Sequence, residues 1–480
     1  MSASDAASGV NGASGGVAAS LADGAARIPE LIDRYDQRVP RYTSYPAAPV
    51  WDDEFGEDEF RSELQQVSGS NASIYVHIPF CERLCSFCAC NRVITQDHDV
   101  AAPYLAAIGR EAAMLRDALP HELQSVQFAV GGGSPNFLSP DQLQELAAIV
   151  AKNFPPADGS ERSIELDPRN TSLEQIRTLA ACGFNRISLG VQDMSPKVQK
   201  AINRIQSREQ IESLVGEARG HGMRSINFDL IYGLPYQTVA SFAETLEQVV
   251  ELRPDRIALY SYAHVTWISK AQRGFERKDL PEPGVKVAIF VSAIARLEAA
   301  GYRFLGLDHF ALPDDALSRA AERGDLRRNF MGYTERAGLD LLALGATGIS
   351  ELAGAYAQSV REPDAWRGRI ESGRLATLRG WRLSDDDRRR KWLIQHLMCN
   401  ETIDPGAYAE RFDEALDMRV PALAQGLEPF ERDGLVARDG DVWRVTPLGR
   451  IFLRPIAALF DAYRDPGDPK GGEQRFSKAV

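Results

Sequence analysis

The sequence predicts an α/β protein whose central unit is a partial barrel of alternating strands and helices. Strand-like runs alternate with helix-length segments from residue 73 to about 310, which is the pattern of βαβ units around a parallel sheet. Polar residues close many successive strands, and the carboxyl ends of strands are where barrel sites lie. An open doubly wound sheet is the alternative, but it would concentrate such residues at one switch point.

The chain before the barrel is predicted in two parts. Residues 1–27 are rich in Ala, Gly and Ser and contain one basic residue, Arg27. Such a composition is typical of a disordered tail, which we expect there. A secretory signal or a transit peptide is not expected, because either would carry more basic residues. Residues 28–72 contain the proline-bounded stretch Pro40-Arg-Tyr-Thr-Ser-Tyr-Pro46. This stretch indicates an ordered segment before the barrel, and a strap packed on the surface is the plainer alternative.

Residues 73–310 are predicted to form the barrel. The predicted strands are Ser73–Ile78, Ser125–Val130, Ser163–Leu166, Arg186–Val191, Ser225–Ile231, Arg256–Tyr262 and a short run at Tyr302–Leu307. The predicted helices lie near 100–118, 139–153, 172–181, 207–221, 238–251 and 284–300. Ser139 and Ser172 stand where a helix N-cap is expected, since serine is a favoured capping residue.

The remaining chain is predicted as a connecting region and a C-terminal domain. Residues 311–380 are mixed and loop-rich, and residues 381–480 are mainly helical with a hairpin around Asp439-Gly440. Helices with such a hairpin suggest a winged-helix-like domain. These helices carry many carboxylates and no basic stripe, which argues against DNA binding. We therefore expect this domain to cover the barrel.

Charge and cysteine usage restrict the function classes. The formal net charge of −12 argues against general binding to nucleic acid or to anionic membranes. An anionic substrate would therefore need local arginines. No apolar run is long enough to span a bilayer. Six cysteines in 480 residues do not form a disulfide framework, so we expect a protein of the reducing cytoplasm.

The most informative feature is the loop after the first strand, which holds Cys81, Cys85, Cys88 and Cys90. The first three could hold three irons of a cubane iron–sulfur cluster and leave the fourth iron open to a small molecule. A zinc site is the alternative, but the chain has no second Cys-x-x-Cys pair to complete it. Cys90 could be a fourth ligand, which would give a closed electron carrier, or a neighbour with another role.

Polar groups at later strand ends indicate a shared binding site. Gly131-Gly-Gly133 with Ser134 would let a ligand approach the backbone and use its N–H groups. Carboxylates and an amide occur in or after the next strands, at Glu165, Gln192, Asp193 and Asp229. Each could be a satisfied core residue or a helix cap, but their repetition favours one site for a ligand with an ammonium group, a ribose and an adenine. Arg204 could clamp a carboxylate or phosphate, and a surface ion pair is its alternative.

Together these residues resemble the radical SAM superfamily and, within it, the family of oxygen-independent coproporphyrinogen III oxidases. The resemblance runs from about residue 30 to Gln474-Arg-Phe-Ser-Lys478. Its motifs are Pro40-Arg-Tyr-Thr-Ser-Tyr-Pro46, Tyr75-Val-His-Ile-Pro-Phe-Cys81, Cys85-Ser-Phe-Cys-Ala-Cys-Asn91, Gly131-Gly-Gly133, Glu165-Leu-Asp-Pro-Arg169, Gly190-Val-Gln-Asp193, Asn203-Arg204, Asp229-Leu-Ile-Tyr-Gly-Leu-Pro235, Tyr262-Ala-His264, Asp308-His-Phe-Ala311 and Arg328-Asn-Phe-x-Gly-Tyr-Thr334.

The resemblance implies a (β/α)6-type radical SAM barrel with a [4Fe–4S] cluster and two molecules of S-adenosyl-L-methionine. By motif, the cluster ligands would be Cys81, Cys85 and Cys88, and Cys90 would not be a ligand. The neighbours of the first S-adenosylmethionine would be Tyr75, Gly132, Glu165 and Ile349. The second would lie near Phe87, Gly133, Ser134, Gln192, Arg204, Asp229 and Ala263.

The implied activity is the anaerobic oxidative decarboxylation of two propionates of coproporphyrinogen III to vinyl groups by a 5′-deoxyadenosyl radical, giving protoporphyrinogen IX in haem biosynthesis. The N-terminal segment would pack near the active site, and Arg41 is a candidate for binding the substrate's carboxylates. An electron donor and an acceptor would be partners, and nothing demands more than a monomer.

Two features qualify the resemblance. Ala89 and Ser134 stand where the family usually has Gly and Thr, and Val265-Thr266 and Leu312 also differ from common family choices. The alternative function is a haem-binding chaperone of the same superfamily. Such relatives generally lack both the cysteine at position 90 and the segment Pro40-Arg-Tyr-Thr-Ser-Tyr-Pro46, which favours the enzyme.

Overall fold

The computed structural model of the chain describes residues 21, 24, 27–267 and 269–464. Its centre is a sheet in which six strands run parallel in chain order, as the sequence predicted. These strands are β1 (Asn71–Ile78), β2 (Gln124–Gly132), β3 (Pro156–Leu166), β4 (Arg186–Gln192), β5 (Ser225–Tyr232) and β6 (Arg256–Ser261). Because they are parallel neighbours, their carboxyl ends meet at one edge, where the site is expected.

Helices connect these strands. The N-terminal segment contributes α1 (Ile28–Tyr35) and α2 (Glu57–Leu64), and the barrel contributes α3 (Ala101–Ala118), α4 (Pro140–Asn153), α5 (Leu173–Ala181), α6 (Pro196–Ala201), α7 (Arg208–Gly220), α8 (Val239–Leu252) and α9 (Pro283–Ala299). Both predicted N-caps are present. The hydroxyl of Ser139 accepts the N–H of Gln142 at 3.3 Å, and Ser172 accepts the N–H of Gln175 at 3.1 Å.

The seventh predicted strand does not continue the parallel series. It is β7 (Arg303–Gly306), which pairs antiparallel with β8 (His309–Ala311), and β8 in turn pairs antiparallel with β6. The connection from β7 to β8 spans two residues, which is too short for the crossover that a parallel pair requires. A hairpin therefore ends this side of the sheet.

The region predicted as loop-rich supplies more of the sheet than expected. After α10 (Ala316–Glu322), it forms the hairpin β9 (Arg327–Asn329) and β10 (Gly332–Thr334) and then the strands β11 (Asp340–Leu344), β12 (Ile349–Glu351), β13 (Ala355–Ser359) and β14 (Thr377–Arg382). Strand β11 pairs parallel with β1, and β12 to β14 extend the sheet antiparallel. The sheet order is β14-β13-β12-β11-β1-β2-β3-β4-β5-β6-β8-β7. It remains open at both edges, as a partial barrel does.

The C-terminal region is mainly helical. It follows α11 (Pro363–Glu371), which connects β13 to β14. Its own elements are α12 (Asp385–Asn400), α13 (Pro405–Phe412), α14 (Leu416–Arg419), α15 (Leu423–Arg432), α16 (Leu453–Ala457) and the three short strands β15 (Thr402–Ile403), β16 (Val436–Asp439) and β17 (Val442–Val445). Strands β16 and β17 form the hairpin predicted around Asp439-Gly440. The winged-helix comparison and the predicted domain boundaries stay predictions. Residues 465–480, with the C-terminal family motif, lie outside the described residues.

The N-terminal segment packs against the C-terminal region. The hydroxyl of Tyr35 donates to Asp433 at 2.7 Å, and Nε of Arg454 donates to the carbonyl of Pro40 at 3.0 Å. Packing begins inside the range predicted as a disordered tail, since Leu21 is fully buried and a Cβ on Gly24 would lie 3.2 Å from Leu448. Most of residues 1–26 lie outside the described residues.

Side chains alternate along the barrel strands, with apolar residues on one face and polar residues on the other. Ile74, Phe128 and Phe228 are almost fully buried in the main hydrophobic cluster, which also contains residues of α3 and α4. On the opposite face, Ser73 donates to Gln127 at 2.8 Å. The polar face lines the barrel interior. Among the described residues no helix is long and apolar enough to cross a bilayer.

A buried carboxylate on α3 gives a prediction for stability. Glu111 is 2% exposed and accepts the N–H of Gly345 at 2.7 Å and the indole N–H of Trp366 at 3.0 Å. Burial raises the pKa of Glu111 to about 7 despite these two donors. Glu111→Ala would leave both donors unsatisfied, so we expect a loss of about 2–4 kcal/mol in the free energy of unfolding. Thermal unfolding should show a lower midpoint than for Glu145→Ala, a substitution of an exposed carboxylate on α4.

Candidate active site

The carboxyl end of β2 approaches its neighbours too closely for any residue but glycine. A Cβ on Gly131 would lie 2.9 Å from the carboxylate of Glu165. Gly132 has a φ of +114°, a conformation that favours glycine, and its Cβ would lie 2.6 Å from the ring of His77. The N–H of Gly132 donates to Glu165 at 3.3 Å. The predicted glycines therefore hold this carboxylate at the strand end.

The cysteine loop lies directly beside the glycine segment. The hydroxyl of Ser134 donates to Sγ of Cys81 at 3.5 Å. The backbone N–H of Cys90 donates to Sγ of Cys88 at 3.4 Å. Cys81 is 9% exposed, so burial takes the thiol away from bulk water and raises its pKa to about 11 in the free protein. A thiolate at Cys81 would therefore need neighbouring groups that stabilise its negative charge.

Two cationic donors contact Cys85, the second cysteine of the loop. Nη2 of Arg169 donates to Sγ of Cys85 at 3.2 Å, and Nη1 of Arg204 donates to the same sulfur at 3.4 Å. Both guanidiniums also pair with Asp167, at 2.6 and 3.1 Å. N–H groups aimed at cysteine sulfur are typical partners of thiolate ligands and of iron–sulfur clusters. The residues around Cys81, Cys85 and Cys88 therefore fit a [4Fe–4S] cluster.

Arg204 is buried rather than part of a surface ion pair. Its Nε and Nη2 donate to the carbonyl of Gly190 at 3.0 and 2.7 Å. A Cβ on Gly190 would lie 2.7 Å from Nη2 of Arg204 and 2.8 Å from the amide of Gln192. The structure thus brings Arg204 and Gln192 together at the end of β4. Asp193 proves to be a structural residue, since it accepts hydrogen bonds from Gln237 and from the N–H of Ser195.

Three carboxylates line a cavity of about 350 Å³ inside the barrel, and one of them, Glu161, is paired with Arg186. Glu165 and Asp229 both line this cavity, together with Tyr75. Asp229 accepts hydrogen bonds from Ser188 and Asn227, each at 2.9 Å. Burial, and then the charge of Asp229, raises the pKa of Glu165 to about 7. The carboxylate of Glu165 faces the cavity, and the surrounding protein shields it from bulk water. A cationic ligand would therefore be favoured there.

A buried glutamine joins two further predicted residues. The side-chain amide of Gln272 donates to the carbonyl of Phe87 at 2.7 Å and to the carbonyl of Ala263 at 3.1 Å. Gln272 is 1% exposed, and it links the cysteine loop to the segment after β6. Phe87 also packs on the apolar cluster that contains Ile202 and Tyr262.

The last two predicted residues lie on other elements. Ile349, on β12, packs against the buried cluster of Trp51, Tyr356 and Leu383. Arg41 lines the same cavity as Glu165 and pairs with Asp308. Arg41 therefore reaches the barrel interior from the N-terminal segment.

Sequence reasoning missed several residues that organise the site. Asp167 and Arg169 are part of the motif that begins at Glu165, but neither was assigned a role. Their position directly after a strand end was the signal that could have identified them. Gln272 lies in a short 3-10 helix (Lys270–Gly274) after β6, and a helix of this length gives no periodic signal in the sequence. His77 lies on β1, and its ring comes close to Gly132 because β1 pairs with β2. This contact is between distant parts of the sequence, so no local pattern signals it.

Two segments of the chain match known protein families. Residues 75–249 match the radical SAM superfamily, and residues 383–452 match the HemN C-terminal domain. The first segment contains the cysteine loop and strands β2 to β5. The second contains most of the helices of the C-terminal region.

Whole-chain comparisons agree with these matches. The chain is 41% identical over 455 residues to an oxygen-independent coproporphyrinogen III oxidase of Pseudomonas aeruginosa, covering 94% of this chain and 98% of the relative. It is 40% identical over 450 residues to the protein of that name from Escherichia coli, with coverage of 94% and 98%. A solved structure of the Escherichia coli coproporphyrinogen III oxidase, described as a radical SAM enzyme, superimposes with a TM-score of 0.86 and 38% identity, covering 91% of this chain and 98% of that chain.

Proposed function

The chain belongs to the oxygen-independent coproporphyrinogen III oxidase family of the radical SAM superfamily, and we propose that it converts coproporphyrinogen III to protoporphyrinogen IX without oxygen. Each of two propionates would lose one hydrogen atom, carbon dioxide and one electron to become a vinyl group. The [4Fe–4S] cluster and S-adenosylmethionine, when bound, supply the one-electron reduction and the hydrogen-atom acceptor that this oxidation needs.

One observation supports this proposal most strongly. A chain of contacts joins the cysteine loop to the cavity: Ser134 contacts Cys81, and Gly132, two residues before it, holds Glu165 at the cavity wall. The proposed cluster site and the proposed cation-binding cavity are therefore neighbours. This arrangement suits a cofactor that is reduced at one end and reacts with substrate at the other.

We assign the chain's own residues as follows. Cys81, Cys85 and Cys88 would hold the cluster, and the donors from Arg169, Arg204, Ser134 and the Cys90 backbone would stabilise their thiolates. Glu165 would bind the cationic part of the first S-adenosylmethionine, and Asp229 that of the second. The first S-adenosylmethionine would contact Tyr75, Gly132, Glu165 and Ile349. The second would contact Phe87, Gly133, Ser134, Gln192, Arg204, Asp229 and Ala263.

Burial of the cavity supports a second role for the protein, which is the exclusion of water. The N-terminal segment and the C-terminal region pack on each other beside the barrel. A site shielded in this way protects reactive intermediates from side reactions. We further propose a monomer in the reducing cytoplasm, served by a separate electron donor and acceptor.

Anaerobic reconstitution tests the proposed function. Purified protein is loaded with iron and sulfide, reduced, and assayed for 5′-deoxyadenosine with and without coproporphyrinogen III. We expect protoporphyrinogen IX to form only when both substrate and S-adenosylmethionine are present. Stable haem binding without turnover would instead identify a haem-binding chaperone, and a closed electron carrier would give no cleavage of S-adenosylmethionine.

The position of Arg41 gives a prediction for substrate binding. Its guanidinium lines the cavity, pairs with Asp308 and lies 5.8 Å from the ring centre of Tyr260. If it binds a substrate carboxylate, Arg41→Gln should raise KM for coproporphyrinogen III about tenfold. Arg41→Lys should recover part of the loss because it keeps the charge. Arg38→Gln, in the same segment, is the control, and equal KM values for the two glutamine variants would remove Arg41 from the substrate site.

A further inference from the structure

Arg328 is a buried arginine at the cavity that neither the sequence motifs nor the proposed cofactor contacts assign to a function. It lies on β9, is 7% exposed and lines the cavity. Its Nη1 donates to the carbonyl of Arg41 at 2.6 Å, and its guanidinium lies 5.8 Å from the ring centre of Tyr333. Within the described part of the chain, its Nε is buried and has no hydrogen-bond partner. An unsatisfied buried guanidinium donor is costly, which indicates a ligand at this position.

Arg41 provides a second guanidinium at the same wall. The two arginines are coupled through the hydrogen bond to the Arg41 backbone. Asp308 pairs with Arg41 and also lies 2.5 Å from Nδ1 of His309. The carboxylate of Asp308 thus contacts both Arg41 and His309 and holds the Arg41 side chain in place. The pair of arginines retains more positive charge than Asp308 neutralises.

The cavity carries opposite charges that do not neutralise each other. Glu165 faces it from near the end of β3 and Asp229 from the middle of β5, while Arg41 and Arg328 face it from the N-terminal segment and β9. The other charged residues that line the cavity are already in ion pairs, Arg186 with Glu161 and Arg256 with Asp315. Among residues 27–267 and 269–464, neither arginine forms an ion pair with either of these carboxylates. Separated charges of both signs in one buried cavity fit two ligands of opposite charge. The cationic cofactor suits the carboxylates, and a carboxylate of the substrate suits the arginines.

We propose that Arg328, with Arg41 beside it, forms a carboxylate-binding site that holds one propionate of the porphyrinogen inside the barrel. This inference rests on the proposed function for the identity of the substrate. The guanidinium of Arg328 presents N–H donors in a plane, which matches a carboxylate. Arg328 acts as a substrate-binding residue, and Arg41 beside it is paired with Asp308.

The test measures binding separately from turnover. Coproporphyrin III, the stable oxidised form of the substrate, is titrated into the reconstituted enzyme, and its dissociation constant is read from fluorescence. We expect Arg328→Gln to raise this constant about 10- to 100-fold and to leave the affinity for S-adenosylmethionine unchanged. Arg328→Lys should give an intermediate value. Arg327→Gln is the matched control, since Arg327 is the neighbour on β9 and donates to the backbone carbonyls of Gly324 and Leu326.

A measurement on the unaltered enzyme covers the case in which Arg328→Gln fails to fold. The tetramethyl ester of coproporphyrin III has the same ring without the carboxylate charges, and the intact enzyme should bind it at least about tenfold more weakly than the free acid. Equal affinity for ester and acid, or equal affinities of Arg328→Gln and Arg327→Gln for the acid, would overturn the proposal. Absence of turnover by the intact enzyme, with tight and ester-sensitive binding retained, would refute the proposed function instead.

Discussion

Replacing any one of Cys81, Cys85 or Cys88 by serine should abolish the formation of 5′-deoxyadenosine. Removing a residue that only hydrogen-bonds to a metal ligand costs about 10- to 100-fold in metal affinity or activity. Removing a ligand itself should therefore cost more than about 100-fold. Each variant should also lose iron after anaerobic reconstitution. Iron and sulfide analysis, together with chromatographic assay of the nucleoside, measures both effects.

Two other cysteines provide the controls. Cys90 contacts the proposed ligand Cys88 through its backbone N–H, and that hydrogen bond survives Cys90→Ser. We expect Cys90→Ser to keep its iron and to keep nucleoside formation, and Cys182→Ser to behave like the unaltered chain. Loss of iron from Cys90→Ser would make Cys90 a fourth ligand and the protein a closed electron carrier.

Glu165→Gln should weaken the binding of S-adenosylmethionine about 10- to 100-fold at pH 8, because a hydrogen bond to a charged group is lost in a buried site. The pH dependence gives a sharper readout. The pKa of Glu165 is raised to about 7 in the ligand-free protein, and a cationic ligand prefers the ionised carboxylate. Affinity should therefore fall roughly tenfold for each pH unit below 7 and level off above it.

Equilibrium binding of S-adenosylmethionine, measured over about three pH units centred on the raised pKa, tests this dependence. In Glu165→Gln, the part of the pH dependence of affinity that comes from the Glu165 carboxylate should disappear. Glu174→Gln changes an exposed carboxylate on α5 and should leave both the affinity and the slope unchanged. A flat profile for the unaltered chain would show that Glu165 does not bind the cation.

Local patterns in the sequence were sufficient for the elements of the barrel. The run Ser73–Ile78 and the later strands were visible from their apolar character, and Ser139 and Ser172 marked helix starts because capping depends on residues within one turn. The cysteine spacing predicted a cluster site because Cys81, Cys85 and Cys88 lie in one short loop. The hairpin at Asp439-Gly440 was visible for the same reason, since a two-residue turn is a local structure.

Pairing between distant segments was not visible. Strand β11 lies beside β1 although more than 260 positions separate them in the sequence, and the region around it was predicted as loop-rich. The run at Tyr302–Leu307 was predicted correctly as a strand, but its antiparallel direction depends on the short connection to β8. Periodicity predicts that a strand exists, and the partner and direction of that strand depend on contacts made elsewhere in the fold.

The sequence by itself determined the parallel barrel strands and the cysteine loop. It also identified the carboxylates Glu165 and Asp229, because each interrupts an apolar strand run. Only the tertiary structure decided that Arg204 is held by Gly190 and Asp167, that Gln272 links Phe87 to Ala263, and that Arg328 reaches the cavity beside Arg41. The physical reason is that a side chain's charge and hydrogen-bonding groups are local properties. The neighbours that satisfy those groups, or leave them open to a ligand, come from segments that are far apart in the chain.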